Sequence, residues 1–237
     1  MTDDVLILMG TAASIGFIHT LLGPDHYLPF IVMSKARGWS PAKTAIITAL
    51  CGLGHVLGSI ILGFVGVFLG IVVFKLESFE SVRGDLAAWF LMAFGFVYLL
   101  WGIRRAVRSR PHAHSHDHED GECHAHDHSH VHGHSHVHAG TGSSSLTPWV
   151  LFTIFVLGPC EPLIPLIMYP AAKCSVGAVV AVATVFGITT IATMLAGVML
   201  PFYGLSAVSF PQVERYAHAL AGLTVFSCGG AIKFLGL

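Results

Sequence analysis

Apolar residues dominate this chain in six long runs, and polar residues collect in the short intervals between them. Each run is long enough, or nearly so, to cross about 30 Å of hydrocarbon as a helix that rises about 1.5 Å per residue. The pattern therefore predicts an all-α polytopic membrane protein with six transmembrane helices. The predicted runs are Val5–Ser34, Ala42–Phe74, Leu86–Ile103, Pro148–Tyr169, Val176–Tyr203 and Tyr216–Leu237.

Two of the six runs contain a Gly-Pro pair, Gly23–Pro24 in the first and Gly158–Pro159 in the fourth. Proline lacks a backbone donor, so it ends or kinks a helix in its interior. Within a membrane, such a break persists only where protein or a polar cavity satisfies the freed backbone groups. We therefore expect both breaks to face one polar cavity near the middle of the membrane.

The composition changes completely between Arg110 and Thr147, where histidine and acidic residues replace the apolar runs. Twelve of the sixteen histidines lie between His112 and His138. Because a segment of this composition cannot bury a core, we expect a disordered loop. It divides the chain into a first helical region over residues 1–110, the His-rich loop over 111–146 and a second helical region over 147–237.

The two helical regions resemble each other. An offset of 135 residues places Gly23–His26 over Gly158–Glu161 and Gly52 over Gly187, and an offset of 134 places Gly95 over Gly229. Each half then contains three helices. Because an odd number of helices reverses the direction of the chain, the halves would form two inverted three-helix repeats, a plan found in many transporters.

Composition and charge exclude other classes of protein. Hydrophobic residues make up 54% of the chain and charged residues 11%, with a mean hydropathy of +0.74, which excludes an ordinary soluble domain. The net charge of −1 offers no basic surface, so nucleic acid is excluded as a partner. The five cysteines are odd in number and form no C-x-x-C pair, so we expect thiols. Asp3 and Asp4 stand where a signal peptide carries basic residues, so we expect the first apolar segment to be retained.

The distribution of basic residues predicts the orientation in the membrane. If the N-terminus lies outside, the inner loops carry eight of the twelve Lys and Arg residues and the outer loops four. The positive-inside rule then places both termini outside and the His-rich loop in the cytoplasm. The eight inner residues are Lys35, Arg37, Lys43, Arg104, Arg105, Arg108, Arg110 and Arg215.

Ionisable side chains are rare inside the apolar runs, because an aspartate near a helix centre costs about 2.5–3.5 kcal/mol on insertion scales. Those that occur there are therefore candidates for function. His19 and His26 are seven residues apart, and Cys51 and His55 are four apart, so each pair would share a helix face. We predict a metal site built from His19, Asp25, His26, Cys51, His55, Cys160 and Glu161.

Imidazole, carboxylate and thiolate groups together suit a divalent first-row ion such as Ni(II), Co(II) or Zn(II) better than magnesium or calcium, which prefer oxygen ligands. The loop carries the same chemistry, because neutral imidazoles on a flexible chain bind such ions at many stoichiometries. We therefore expect an accessory metal-binding loop. Its predicted ligands are His112, His114, His116, His118, His124, His126, His128, His130, His132, His134, His136 and His138.

The stretch Phe17–His26, with His19 and the pair Asp25–His26, resembles the His and Asp-His signature of the nickel/cobalt transporter superfamily. The similarity is to the short six-helix UreH-like and NicO branches, in which a His-rich cytoplasmic loop often divides two halves. The eight-helix nickel permeases space this motif as H-x4-D-H, whereas five residues separate His19 from Asp25 here. The resemblance implies that His19, Asp25 and His26 bind the ion in transit.

From this resemblance we expect a transporter, not an enzyme, for nickel or cobalt first and zinc second, working by alternating access. The metal would be cargo, and no permanent cofactor is expected. The expected location is the bacterial-type inner membrane, with the lipid bilayer and a cytoplasmic metallochaperone as partners.

The second half supports one alternative. The stretch Leu157–Pro165, with Cys160 after Gly158–Pro159, resembles the Pro-Cys break of the CcdA and DsbD type of thiol-reducing membrane proteins of cytochrome c maturation. Those proteins are also inverted repeats and use a reactive cysteine in each half. Asp25 occupies the position that matches Cys160, so a transmembrane thiol/disulfide carrier would have to recruit Cys51.

Overall fold

The computed structural model describes residues 3–71, 73–108, 114–116, 124–126, 146–173, 175–206 and 215–236. These residues are helical apart from short connections and one pair of three-residue strands. In the described part of the chain, eight α-helices follow in order: α1 (Asp3–Leu22), α2 (Leu28–Arg37), α3 (Pro41–Phe68), α4 (Val73–Arg108), α5 (Leu146–Leu157), α6 (Leu163–Lys173), α7 (Val176–Ser206) and α8 (Ala217–Leu235). A 3₁₀ turn over Pro24–His26 joins α1 to α2.

Five of the helices, α1, α3, α4, α7 and α8, are long and apolar enough to cross a membrane. Their outer faces carry large apolar side chains that a soluble protein would bury, such as Ile7, Phe68 and Leu200, which are 67%, 89% and 74% exposed. The chain therefore has the character of an α-helical integral membrane protein. The fourth predicted run forms two short helices, α5 and α6, instead of one continuous helix.

Both helix breaks lie where the sequence predicts them. Helix α1 ends at Leu22, and the Gly23 N–H still donates to the His19 carbonyl at 3.1 Å before Pro24 begins the 3₁₀ turn. Helix α5 ends at Leu157, and the Gly158 N–H donates to the Ile154 carbonyl at 2.9 Å before Pro159. In each case the proline stops the helix because it can supply no further donor.

Helix α4 differs from its prediction at its N-terminal end. The apolar run predicted a helix from Leu86, but α4 begins at Val73 and is 36 residues long. The additional turns contain charged residues, and two of them are engaged inside the protein: Arg83 pairs with the buried Glu80 at 2.6 Å. A hydropathy pattern leaves these turns out of the predicted helix, because it contains no information about the pairing of their charges.

The ends of the helices define two ends of the molecule. Helix α4 runs from the α3–α4 connection at Val73 to Arg108, where the His-rich segment begins, and α5 starts where that segment ends. We call the end with Arg108 the loop-side end and the end with Val73 the far end. Helix α8 packs along α4 in the opposite direction, with His218 against Tyr98 and Lys233 against Asp85.

Two hydrophobic clusters fill the interior above and below the helix breaks. The loop-side cluster includes Phe30, Leu91, Phe155 and Met194. The far-side cluster includes Val56, Cys160, Ile167 and Phe186. The level between them contains both breaks and the middle of α3.

In the His-rich segment, the structure describes only His114–His116 and His124–His126, which pair as antiparallel strands with His114 opposite His126. The other histidines of this segment lie outside the described residues, as do Cys123 and Cys174. Among the described residues, Cys51, Cys160 and Cys228 are free thiols, in agreement with the expected reduced state.

Candidate metal centre

Three histidines from separate elements meet at the first helix break. His19 lies in the last turn of α1, His26 ends the 3₁₀ turn, and His55 lies at the middle of α3. The Gly-Pro pair makes this possible, because it turns the chain sharply enough for His26 to lie against His19. Their ring centroids are 5.0 Å apart, and those of His26 and His55 are 5.1 Å apart.

The nitrogen atoms of the three rings converge. One ring nitrogen from each of His19, His26 and His55 lies within 4.8 Å of the other two. The shortest separation, between His26 Nε2 and His55 Nε2, is 3.4 Å. Two nitrogen ligands on a tetrahedral ion, each bonded at about 2.0–2.1 Å, are roughly 3.3 Å apart. His26 and His55 therefore already have the spacing of two metal ligands, and a ring nitrogen of His19 lies within 4.8 Å of both.

The surroundings of His26 fix which of its nitrogens faces this cluster. His26 Nδ1 lies 3.1 Å from the Gly23 carbonyl oxygen and 3.3 Å from Asp25 Oδ1. Both neighbours accept hydrogen bonds, so Nδ1 carries the proton and Nε2 presents its lone pair to His19 and His55. Histidines that bind metals usually donate their second nitrogen in this way to a carboxylate or a carbonyl.

Two atoms of the cluster have no hydrogen-bond partner. His19 Nε2 and His55 Nδ1 are both buried and unpartnered, and the His55 residue is 3% exposed. Buried polar groups without partners are rare in folded proteins because each costs about 1–3 kcal/mol. A buried, unpartnered nitrogen on two of the three converging histidines indicates a site built for a ligand.

A cavity of about 520 Å³ adjoins the three histidines. It is lined by the two breaks, by α4 and by the end of α8, so it lies at the middle level of the protein. Three carboxylate residues, Asp25, Asp85 and Glu161, line it, and no Lys or Arg does so among the described residues. A cavity with this lining favours a cation over an anion.

The other residues predicted as ligands lie in two different environments. Asp25 pairs with His26 Nδ1, and Glu161 lines the cavity without joining the nitrogen cluster. The side chain of Cys51 is buried in the loop-side cluster and that of Cys160 in the far-side cluster. The structure therefore brings together the histidines of the predicted set, and it brings neither thiol into the group of converging ligand atoms.

Sequence reasoning missed the residues that support the second break. Arg83 of α4 donates from Nε to the Leu157 carbonyl at 3.2 Å and from Nη2 to the Gly158 carbonyl at 2.7 Å. Glu80 accepts the Cys160 N–H at 3.0 Å. We call Glu80 and Arg83 the α4 clamp, because they satisfy the backbone groups that Pro159 leaves free. Their i,i+3 spacing is a signal that the sequence does contain.

Comparison of the chain with protein-family models, with curated proteins and with solved structures gives no match.

Proposed function

We propose that this protein is a membrane transporter of a divalent transition-metal cation, with nickel or cobalt as the preferred cargo and zinc next. The observation that carries the proposal is the convergence of His19, His26 and His55 on one buried point, with two of their nitrogens unpartnered. Neutral imidazole is the commonest protein ligand for these metals. Magnesium and calcium would require oxygen ligands instead.

The proposed architecture is a pair of inverted three-helix repeats, in which α5 and α6 together form the fourth span. Reciprocal contacts support it, because a two-fold relation requires each contact to occur twice. A Cβ on Gly52 would lie 3.3 Å from Ile191, and one on Gly187 would lie 3.1 Å from Val56. These two contacts exchange under the offset of 135 residues that the sequence suggests.

Helices α4 and α8 repeat the same relation under the offset of 134 residues. A Cβ on Gly95 would lie 2.9 Å from the Gly222 carbonyl, and one on Gly229 would lie 2.8 Å from the Ala88 carbonyl. Helices α4 and α8 therefore pack about the proposed two-fold axis.

Alternating access requires a site that is closed on one side at a time. Phe30 and Phe155 separate the histidines from the loop-side end, with ring centroids 4.7 Å apart. Nearer that end, Arg37 donates to Thr147 Oγ1 at 2.6 Å and stacks over Tyr98 at 5.4 Å. We propose that these contacts form the closed gate of this conformation.

The proposed orientation places the loop-side end in the cytoplasm of a bacterial-type inner membrane and both termini outside. Arg37 lies at the loop-side end beside the start of α5, as the positive-inside rule requires. Two residues of the outer count, Arg83 and Lys233, lie within helices and form ion pairs, which reduces the positive charge of the far end. The His-rich loop would then bind metal in the cytoplasm and offer a docking point to a metallochaperone.

The thiol/disulfide alternative receives no support from the placement of the cysteines. Cys160 is fully buried, and Cys51 belongs to a different hydrophobic cluster. Two-cysteine exchange requires a thiolate with access to its partner.

Purified protein in proteoliposomes tests the proposal directly. We expect saturable uptake of Ni²⁺, Co²⁺ or Zn²⁺ but not Mg²⁺, and we expect His26→Ala and His55→Ala to lose most of it. Thr224→Ala is the control, because the exposed Thr224 hydroxyl donates within its own helix, to the Leu220 carbonyl. Normal metal uptake by the His26 and His55 variants, or transport of thiol-reducing equivalents without metal, would contradict the proposal.

A further inference from the structure

The cavity at the histidines continues toward the far end of the molecule. A second cavity of about 340 Å³ is lined by Phe74, Glu77, Ser78, Ser81 and Glu161. Ser81 and Glu161 also line the main cavity, so the two spaces adjoin. The second cavity lies along the first turns of α4, at the end opposite the His-rich segment.

The two adjoining cavities form a passage from the far end to the histidines, and one face of α4 forms its polar wall. Glu77, Ser81 and Asp85 are spaced by four residues, so they lie one above another on the helix. From Glu77 to Asp85 the helix rises about 12 Å. Glu161, beside the second break, also lines this space.

The passage leads to atoms that lack partners. The buried His55, which lines the main cavity, has an unpartnered Nδ1, and His19 has an unpartnered Nε2. The carboxylates are thus not an isolated acidic cluster on a surface. They line the passage between the far end and the histidine cluster, whose unpartnered nitrogens can bind a cation.

The charges along this passage are graded. Asp85 is paired with Lys233 of α8, whose Nζ lies 2.7 Å from Asp85 Oδ1. Among the described residues, no ion pair involves Glu77 or Glu161. In the described part of the chain, the two carboxylates of the outer passage are therefore not held in ion pairs, while the carboxylate of Asp85, nearer the histidines, is partly neutralised by Lys233.

We infer that Glu77 and Glu161 form an approach path for the metal ion on the far side of the membrane. The inference rests on the proposed function. Carboxylates attract a hydrated divalent ion without removing its water, and a cleft of one sign raises the local concentration of the ion. The imidazoles deeper in the protein then replace the water. Lys233 limits how strongly Asp85 holds the ion and so favours its passage to the histidines.

The inference predicts opposite effects for opposite charges. Replacing both Glu77 and Glu161 by Gln keeps the size of the side chains but removes two negative charges. We expect the half-saturating Ni²⁺ concentration to rise by roughly threefold or more, with the maximal rate little changed. Lys233→Gln exposes the charge of Asp85, so we expect the half-saturating concentration to fall. Both effects should shrink as ionic strength rises.

The experiment is Ni²⁺ uptake by the full chain in proteoliposomes, with metal added at the far face. The orientation of the protein in the vesicles is determined by adding a protease and testing whether it cleaves within residues 111–146. Asp4→Asn and Lys75→Gln are the matched controls, since they remove one charge of each sign near the far end without lining either cavity. The single variants Glu77→Gln and Glu161→Gln replace the double variant if it does not fold.

Equal half-saturating concentrations for the Gln variants and for Asp4→Asn would overturn the approach path. So would a rise with Lys233→Gln, because that result would indicate general damage instead of an effect of charge. Wild-type protein that takes up no Ni²⁺, Co²⁺ or Zn²⁺ would contradict the proposed function itself. The two failures are therefore distinguishable.

Discussion

The two ring nitrogens of His26 make different contacts. Nδ1 faces the Gly23 carbonyl and Asp25, and Nε2 faces the nitrogen cluster. In the proposed metal site, Asp25 is therefore a positioning residue that would act on the metal through His26. This differs from the role as a direct ligand that the sequence motif implies.

Asp25→Asn tests this role. Asparagine keeps the size of the side chain but removes the charge that orients and polarises the imidazole. Loss of such an outer partner typically lowers metal affinity by about 10- to 100-fold. We expect weakened but saturable Ni²⁺ binding by titration calorimetry, with an unchanged number of imidazole ligands. Complete loss of binding in a folded variant would indicate that Asp25 is itself a ligand.

The convergence of the three histidines could be anticipated because a polar side chain in an apolar run has few structural reasons to be there. The same reasoning could not show that the cysteines lie apart from the histidine cluster. Cys51 lies one turn before His55, but its side chain packs into the loop-side cluster, and a thiol is apolar enough to do so. Helix periodicity gives the face of a residue, whereas tertiary packing decides its neighbours.

At the scale of elements, the second break depends on α4 for its stability. Glu80 is fully buried, and Arg83 is its ion-pair partner as well as the donor to two carbonyls of the break. No comparable clamp holds the first break among the described residues, where His26 itself contacts the Gly23 carbonyl. A ligand bound at His26 would therefore act on the backbone of the first break through the contact between His26 and the Gly23 carbonyl.

Arg83→Ala should destabilise the protein strongly. The change leaves the charge of Glu80 buried without its partner and two backbone carbonyls without donors, for which a cost of about 3–5 kcal/mol is typical. Thermal unfolding in detergent measures it, with Arg108→Ala at the exposed end of the same helix as the control. Equal stability of the two variants would show that the α4 clamp contributes little.

The two helix breaks could be predicted because a Gly-Pro pair acts locally. The start of α4 could not, because thirteen residues with five charges precede its apolar run. Those turns are stabilised by contacts with α5 and α8, which lie far away in the sequence. Hydropathy therefore located the apolar segments. Among the described residues, however, five helices, not the predicted six, are long and apolar enough to cross a membrane, and the α4 clamp was not predicted.

At the scale of the whole molecule, the histidine cluster lies between the proposed approach path and the proposed closed gate. The passage reaches the far end past Glu161, and the Phe30–Phe155 contact closes the loop-side end. The proposed inverted repeat would give a physical reason for this plan, since two inverted halves can exchange the open and the closed side. The sequence indicates the repeat through its glycines, whereas the present asymmetry is visible only in three dimensions.

X-ray absorption at the nickel edge tests the central claim most directly. The sample is protein without residues 112–138, so that the loop histidines do not contribute, loaded with one equivalent of Ni²⁺. We predict three imidazole ligands and no sulfur neighbour, with two imidazoles remaining in His55→Ala. A sulfur ligand, or an unchanged spectrum in the His55 variant, would contradict a cargo site formed by His19, His26 and His55.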